Sequence, residues 1–221
     1  MSQKKISREE EKRVAEILVI LEKNYPQAKV ALTFSNPLEM LMSTILSAQC
    51  TDERVNAVTS ELFKKYNTPY DYATVDLSEL ERDIKSTGFY RAKAKNIKNA
   101  AKMIVEEFNA QVPRTMAELT TLPGVGRKTA NIVLANAYGL IEGVAVDTHV
   151  ARLSKRLGLT RSEEPDKIEQ DLMRIIPKDL WFSFTYQLID HGRRICAARK
   201  PHCTECSLNE LCPSAFTFNK K

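Results

Sequence analysis

Nowhere does this chain carry an apolar run long enough for a membrane anchor or a secretory leader, and it begins with the polar stretch Met1-Ser2-Gln3-Lys4-Lys5. A reduced cytosol is therefore the expected compartment, which disfavours disulfides among its five cysteines. Also missing is any segment that alternates apolar and polar residues as a half-buried strand would, and there is neither an internal repeat nor a low-complexity linker. Strong charge of one sign is absent too. The net charge of +5 hints at a polyanionic partner without establishing one. At 221 residues the chain suits one large domain or two modest ones.

What is present, nearly throughout, is helical periodicity. Val14, Ile17, Leu18 and Leu21 share one helix face, as do Leu38, Leu41, Met42, Ile45 and Leu46. The chain reads as all-α. Asn36 is placed to cap a helix with Pro37 at its first position, and Asp76 precedes Glu79 at capping-box spacing. Gly88, Gly139 and Gly158 read as helix stops, and further helices are expected over 52–66, 77–86, 91–109, 115–121, 127–138, 147–157, 166–176 and 180–196. Basic residues gather at Arg91, Lys93, Lys95 and Lys98, at Arg127 and Lys128, at Arg152, Lys155 and Arg156, and at Arg193, Arg194, Arg199 and Lys200. Each group taken alone reads most simply as a solvated helix face.

Four of the cysteines crowd the last quarter. Cys196, Cys203, Cys206 and Cys212 follow the spacing C-x6-C-x2-C-x5-C, which brings four soft thiolates within reach of one small centre. A structural zinc usually takes its ligands as two facing knuckles, whereas only Cys203 and Cys206 form a C-x-x-C pair here. Iron–sulfur is thus the first reading and zinc the second. Cys50, far away in sequence, reads as an ordinary buried thiol.

Between two expected helices stands Leu122-Pro123-Gly124-Val125-Gly126-Arg127-Lys128-Thr129-Ala130, the form of a helix-hairpin-helix. Glycines permit positive φ and close approach, so the turn's amides can converge on a phosphate at the positive end of the following helix, with Val125 plugging the turn into the core. Such a grip takes the DNA backbone and no base edge. A plain tight turn is the alternative; the flanking Leu122-Pro123 and Arg127-Lys128 favour nucleic acid. Lys128 falls in the first turn of the second helix, where the dipole disfavours a second positive charge and so favours a neutral, nucleophilic amine able to form a Schiff base. A phosphate-neutralising lysine is the other reading. In Val146-Asp147-Thr148-His149-Val150, Asp147 is first an N-cap and second the carboxylate that glycosidic cleavage needs. The two roles are compatible if one oxygen takes an amide and the other faces a developing sugar cation.

Taken in order, Leu46-Ser47-Ala48-Gln49-Cys50-Thr51-Asp52, the hairpin, Val-Asp-Thr-His and the cysteine spacing resemble the bacterial endonuclease III family over essentially the full length. That resemblance implies two helical domains: a six-helix barrel at 30–140 carrying the hairpin, and a discontinuous domain of 1–29 and 141–221 carrying a [4Fe–4S] cluster. DNA would bind between them, with Lys128 and Asp147 on opposite lips. It implies a bifunctional DNA glycosylase and AP lyase that excises oxidised pyrimidines such as thymine glycol from duplex DNA and nicks the strand by β-elimination. Lys128 matches the Schiff-base nucleophile and Asp147 the essential carboxylate. Leu122, Gly124, Val125, Gly126 and Arg127 match the backbone-gripping hairpin. Gln49 matches the glutamine that fills the gap left by an extruded nucleotide. Gly88-Phe89-Tyr90 matches the loop that wedges the opposite strand; the family commonly has leucine where this chain has Phe89, which either stacks on the orphaned base or packs on the core. His149 resembles a pocket-lining residue, or is simply a satisfied polar group. Cys196, Cys203, Cys206 and Cys212 match the cluster ligands, and the loop they close presents Arg199 and Lys200 to phosphates. The implied partner is double-stranded DNA bearing damaged pyrimidines or abasic sites, met by a monomer in the bacterial cytoplasm with no membrane involved. The nearest alternative is a mismatch-specific glycosylase of the same superfamily, against which Lys128 argues because those relatives carry another residue there. A non-catalytic DNA-binding module with structural zinc is the alternative from a different class.

Overall fold

The computed structural model describes residues 7–219, and among these there is no strand. Local chemistry accounts for the helix boundaries. In α1 (Arg8–Asn24) the Ser7 hydroxyl accepts from the Glu10 amide, and Glu9, Glu10 and Glu11 face the positive end of the dipole. Asn36 caps α2 (Pro37–Leu46) through the Glu39 amide at 3.0 Å, with Pro37 in the first turn as expected. From Met40 to Leu46 every residue of α2 is buried, so this helix runs through a core and not along its edge. Thr51 caps α3 (Asp52–Lys65).

The next helix, α4 (Pro69–Thr74), has a capping box between Thr68 and Asp71 and was not expected, because six residues are too few to show a period. In α5 (Leu77–Asp83) the reverse happens. Asp76 accepts from the amide and hydroxyl of Ser78 at 2.8 and 2.6 Å, and Glu79 turns instead to Lys65 Nζ at 2.6 Å, so the anticipated box does not form. The expected 77–86 helix breaks into α5 and a 3-10 turn, Lys85–Thr87, and Gly88 at φ +69° separates that turn from α6 (Tyr90–Glu107). Then come the single-turn α7 (Met116–Leu119), α8 (Arg127–Tyr138), α9 (Thr148–Arg156), α10 (Pro165–Ile175) and α11 (Trp181–Arg194). Gly139 and Gly158, at φ +67° and +68°, stop α8 and α9 in the left-handed conformation.

The chain divides into two compact units. One runs through Lys29 and resumes at Gly143, and the other is Val30–Glu142. In the second, α2 packs on α8 and α4 on α6 around a core that includes Leu46, Ile97, Ile104 and Leu134. In the first, α11 packs on α1 and on α9, burying Ile17, Leu21, Leu153, Phe184 and Leu188.

Several cations expected on solvated faces are structural ties instead. Lys93 is only 4% exposed, and Lys98 donates to the Val75 carbonyl. Arg152 and Arg156 turn inward to hold backbone around Cys196, and only Lys155 of that group faces out, paired with Glu163. Cys50 is half-buried at the edge of its core, less enclosed than expected.

Candidate functional site

The hairpin joins α7 to α8. Leu122 and Val125 are 2% and 6% exposed, and the Val125 amide donates to the Leu122 carbonyl at 3.0 Å, so the apolar residue between the glycines plugs the turn into the core. Gly124 is required twice. Its φ is +82°, and a Cβ there would stand 2.9 Å from Asn96 Cβ on α6. Gly126 differs from expectation: its φ of −94° suits any residue, and a Cβ would meet nothing within 4 Å. Its smallness serves no internal contact and leaves the outer face of the turn open. No side chain caps α8, whose positive end therefore carries only backbone donors.

Arg127 and Lys128 are exposed in that first turn. The Lys128 amine makes no hydrogen bond or ion pair among the described residues, and so is unencumbered at an open helix N-terminus. Asp147 belongs to the other unit and is half-buried at the start of α9, where Oδ1 accepts from the Val150 amide at 2.7 Å. Oδ2 takes no hydrogen bond or ion pair among the described residues. One oxygen thus fixes the carboxylate and the other has no partner among the described residues. His149 lies half-buried beside Arg152, Nδ1 to Nη2 3.2 Å, and a Cβ on Gly192 would come within 2.7 Å of that nitrogen. Gly192 is there for the close approach of this ring to α11.

Gln49 and Phe89 share an unusual backbone. Both are exposed, Phe89 by 67%, and both are non-glycine residues at positive φ, +51° and +48°. Such conformations cost about 1–2 kcal/mol and persist where the surroundings impose them.

Cys196, Cys203, Cys206 and Cys212 are half-buried free thiols that line a single cavity with Arg156, His191 and Phe218. Among the described residues no three His, Cys, Asp or Glu side chains are drawn together closely enough to hold one ion. Burial pushes the Cys206 and Cys212 thiols up, and the neighbouring cysteines add to the effect, so free thiolates are disfavoured unless a metal takes their charge. Arg156 supports this centre by donating to Cys196 Sγ at 3.2 Å and to the Ala197 and Ala198 carbonyls at 2.8 and 2.7 Å. Arg152 reaches the Cys196 carbonyl at 3.1 Å. Burial pulls His191 down to about 4 and keeps it neutral; Nδ1 meets the Tyr25 hydroxyl at 2.9 Å and Nε2 lies 3.5 Å from Cys206 Sγ. Sequence reasoning missed Arg156 on α9, His191 on α11 and Tyr25 at the end of α1, because they come together only once these helices pack. Arg199 and Lys200 stand exposed on the loop that these contacts hold.

Residues 42–178 match the model of the HhH-GPD superfamily of base excision DNA repair proteins. Endonuclease III of Synechocystis is 57% identical over 203 residues, covering 92% of this chain and 93% of its own length. The chain belongs to the endonuclease III family. The Bacillus subtilis enzyme is 50% identical over 198 residues, covering 89% of this chain and 90% of its own, and the Escherichia coli enzyme 39% identical over 197, covering 89% and 93%. Among solved structures, a trapped endonuclease III–DNA covalent intermediate superposes with a TM-score of 0.89 at 46% identity, covering 93% of this chain and 96% of that one. A thermostable thymine-DNA glycosylase shares the fold, with a TM-score of 0.83 at 24% identity. Endonuclease III enzymes are DNA glycosylases with AP lyase activity, and this chain is a bifunctional base excision repair enzyme of that kind. No helix among the described residues is long and apolar enough to cross a membrane.

Proposed function

We propose that this endonuclease III family enzyme excises oxidised pyrimidines, such as thymine glycol, from double-stranded DNA and cleaves the strand through a Schiff base on Lys128. The observation that carries the reading is the unencumbered Lys128 amine at the uncapped start of α8, directly after the hairpin that would hold the DNA backbone. Its lone pair attacks C1′ as the glycosidic electrons leave with the base, and ring opening gives an iminium. The iminium acidifies the C2′ proton, and loss of that proton expels the 3′ phosphate. Asp147, fixed by its cap, offers Oδ2 to take the lysine's proton or to stabilise the cationic sugar. The kinship to a solved endonuclease III–DNA covalent intermediate supports this chemistry.

A nucleotide must leave the stack to be reached, at a cost of a few kcal/mol that is smaller for damaged bases. Gln49 fills the vacated space and Phe89 stacks on the orphaned base, both being exposed on strained backbone. His149 lines the pocket. Leu122, Gly124, Val125, Gly126 and Arg127 form the backbone grip, and Arg199 and Lys200 add phosphate contacts.

The four cysteines around one cavity, with Arg156 donating to Cys196 and only one C-x-x-C knuckle among them, fit a [4Fe–4S] cluster better than a structural zinc, which usually takes two facing knuckles. Cys196, Cys203, Cys206 and Cys212 would hold the cluster, and binding it would close the C-terminal loops and stiffen the surface carrying Arg199 and Lys200. The enzyme acts as a monomer in the bacterial cytoplasm, where such duplex lies. Lys128→Gln is expected to abolish strand cleavage while leaving duplex affinity almost intact, because the hairpin amides remain. Undiminished lyase activity in that variant, measured on a duplex with one abasic site, would remove Lys128 from the mechanism.

A further inference from the structure

Lys93 is buried, yet no carboxylate pairs with it among the described residues. Its Nζ donates to two backbone carbonyls, Leu46 at 2.7 Å and Thr87 at 2.8 Å. Burying an ammonium without a counter-ion is expensive, and here burial holds the amine's pKa below its usual value. The two carbonyls are not arbitrary. Leu46 closes α2 three residues before Gln49, and Thr87 closes the 3-10 turn two residues before Phe89. Each carbonyl belongs to the peptide from which an exposed loop departs, and each loop carries a non-glycine residue held at positive φ, Gln49 in one and Phe89 in the other. The backbone amide of Lys93 also donates to the Phe89 carbonyl at 3.1 Å, so the same residue starts the helix behind Phe89. The negative end of the α2 dipole makes the Leu46 carbonyl a fitting partner for a cation.

We infer that Lys93 is a positioning residue for lesion extrusion, a single buried ammonium that ties together the roots of the Gln49 and Phe89 loops and so fixes how the two side chains are presented to the two DNA strands. The inference rests on the gap-filling roles proposed above for Gln49 and Phe89. Without the tie the loops lose their common anchor, and a displacement of about an ångström at such a position is enough to lower a rate roughly 100-fold. The residue touches no reacting atom. It acts through the two that enter the stack.

The deciding comparison uses the full-length, cluster-loaded protein and Lys93→Met, which keeps an apolar stem of similar length and removes the donors. Each protein at saturating concentration is bound to a duplex carrying a tetrahydrofuran abasic analogue opposite 2-aminopurine, whose fluorescence reports entry of protein side chains into the stack. Single-turnover excision of thymine glycol and affinity for undamaged duplex are measured beside it. Lys93→Met is expected to lose most of the fluorescence change and to slow excision by roughly 10- to 100-fold. Its affinity for undamaged duplex, supplied by the hairpin, stays as in the wild type. Because Lys93 acts through Gln49 and Phe89, adding Lys93→Met to the Gln49→Ala/Phe89→Ala double variant should slow excision no further. A merely structural lysine would instead give multiplicative losses, which overturns the proposal. Wild-type fluorescence and excision in folded Lys93→Met overturn it equally. If Gln49→Ala and Phe89→Ala lower the fluorescence change while Lys93→Met does not, the gap-filling roles stand and the tie alone is wrong. If those two variants leave the signal unchanged, the gap-filling roles are wrong and the inference falls with them. Should Lys93→Met fail to fold, Lys93→Gln, which keeps one donor on a shorter stem, carries the same test: partial loss supports the tie and wild-type behaviour refutes it.

Discussion

Asp147 caps α9 and is proposed to serve the chemistry with the same carboxylate, and substitution can separate the two roles. Asparagine is as good an N-cap as aspartate, whereas alanine costs a helix about 1 kcal/mol. Asp147→Asn should therefore melt close to the wild type yet lose excision, and Asp147→Ala should lose both. Calorimetry beside a single-turnover assay checks this; retained excision in Asp147→Asn would reduce the residue to a cap. The hairpin glycines divide in the same manner. Gly124→Ala forces a side chain into the left-handed region and against Asn96, and should destabilise the protein by about 1–2 kcal/mol or more. Gly126→Ala meets neither obstacle, so its melting temperature should barely move, while a methyl group on the open face should weaken duplex binding. Equal stability losses in the two variants would contradict the different reasons given for the two glycines.

Among the elements, those that repeat an apolar face were legible beforehand. α1 and α2 follow periods read from residues such as Val14, Ile17, Leu41 and Ile45, and α3, α6 and α8 to α11 fall where helices were expected. α4 was hidden because six residues make less than two turns. The absence of the Asp76–Glu79 capping box was hidden because Asp76 chose the nearer Ser78, a local competition that spacing does not resolve. The same limit applies to the arginines of α9. Arg152 and Arg156 look like a solvated basic face, and only the fold shows them reaching backbone and sulfur around Cys196. Their inward role yields a prediction. Arg156→Ala removes three hydrogen bonds to the cysteine loop and should reduce the iron content and brown absorbance of purified protein, whereas Lys155→Ala, one residue away and facing out, should not. Equal iron in the two variants would mean that Arg156 does not support the centre.

At the scale of the whole molecule, the motifs announced the chemistry from the sequence: hairpin, Val-Asp-Thr-His and cysteine spacing are local strings whose residues stay local. The assembly of one compact unit from the N-terminal helix and the segment after Gly143 is a long-range fact that no period encodes. DNA attachment is likewise a property of the whole surface, and it divides by salt. Arg199→Ala should reduce the slope of log affinity against log salt by about one unit if a single phosphate contact is lost, because the hairpin amides carry no charge to release. An unchanged slope would leave Arg199 a solvated side chain.

The most direct test of the central claim is borohydride trapping on a duplex bearing one thymine glycol, with wild-type protein beside Lys128→Gln. Reduction converts an enzyme–DNA imine into a stable amine. A covalent adduct with the wild type and none with Lys128→Gln is the expected result, and it would establish nucleophile, lyase step and substrate class together. Release of the free base by the wild type with no adduct would contradict the account, since the glycosidic bond would then be broken by water and Lys128 would be only a cation beside a phosphate.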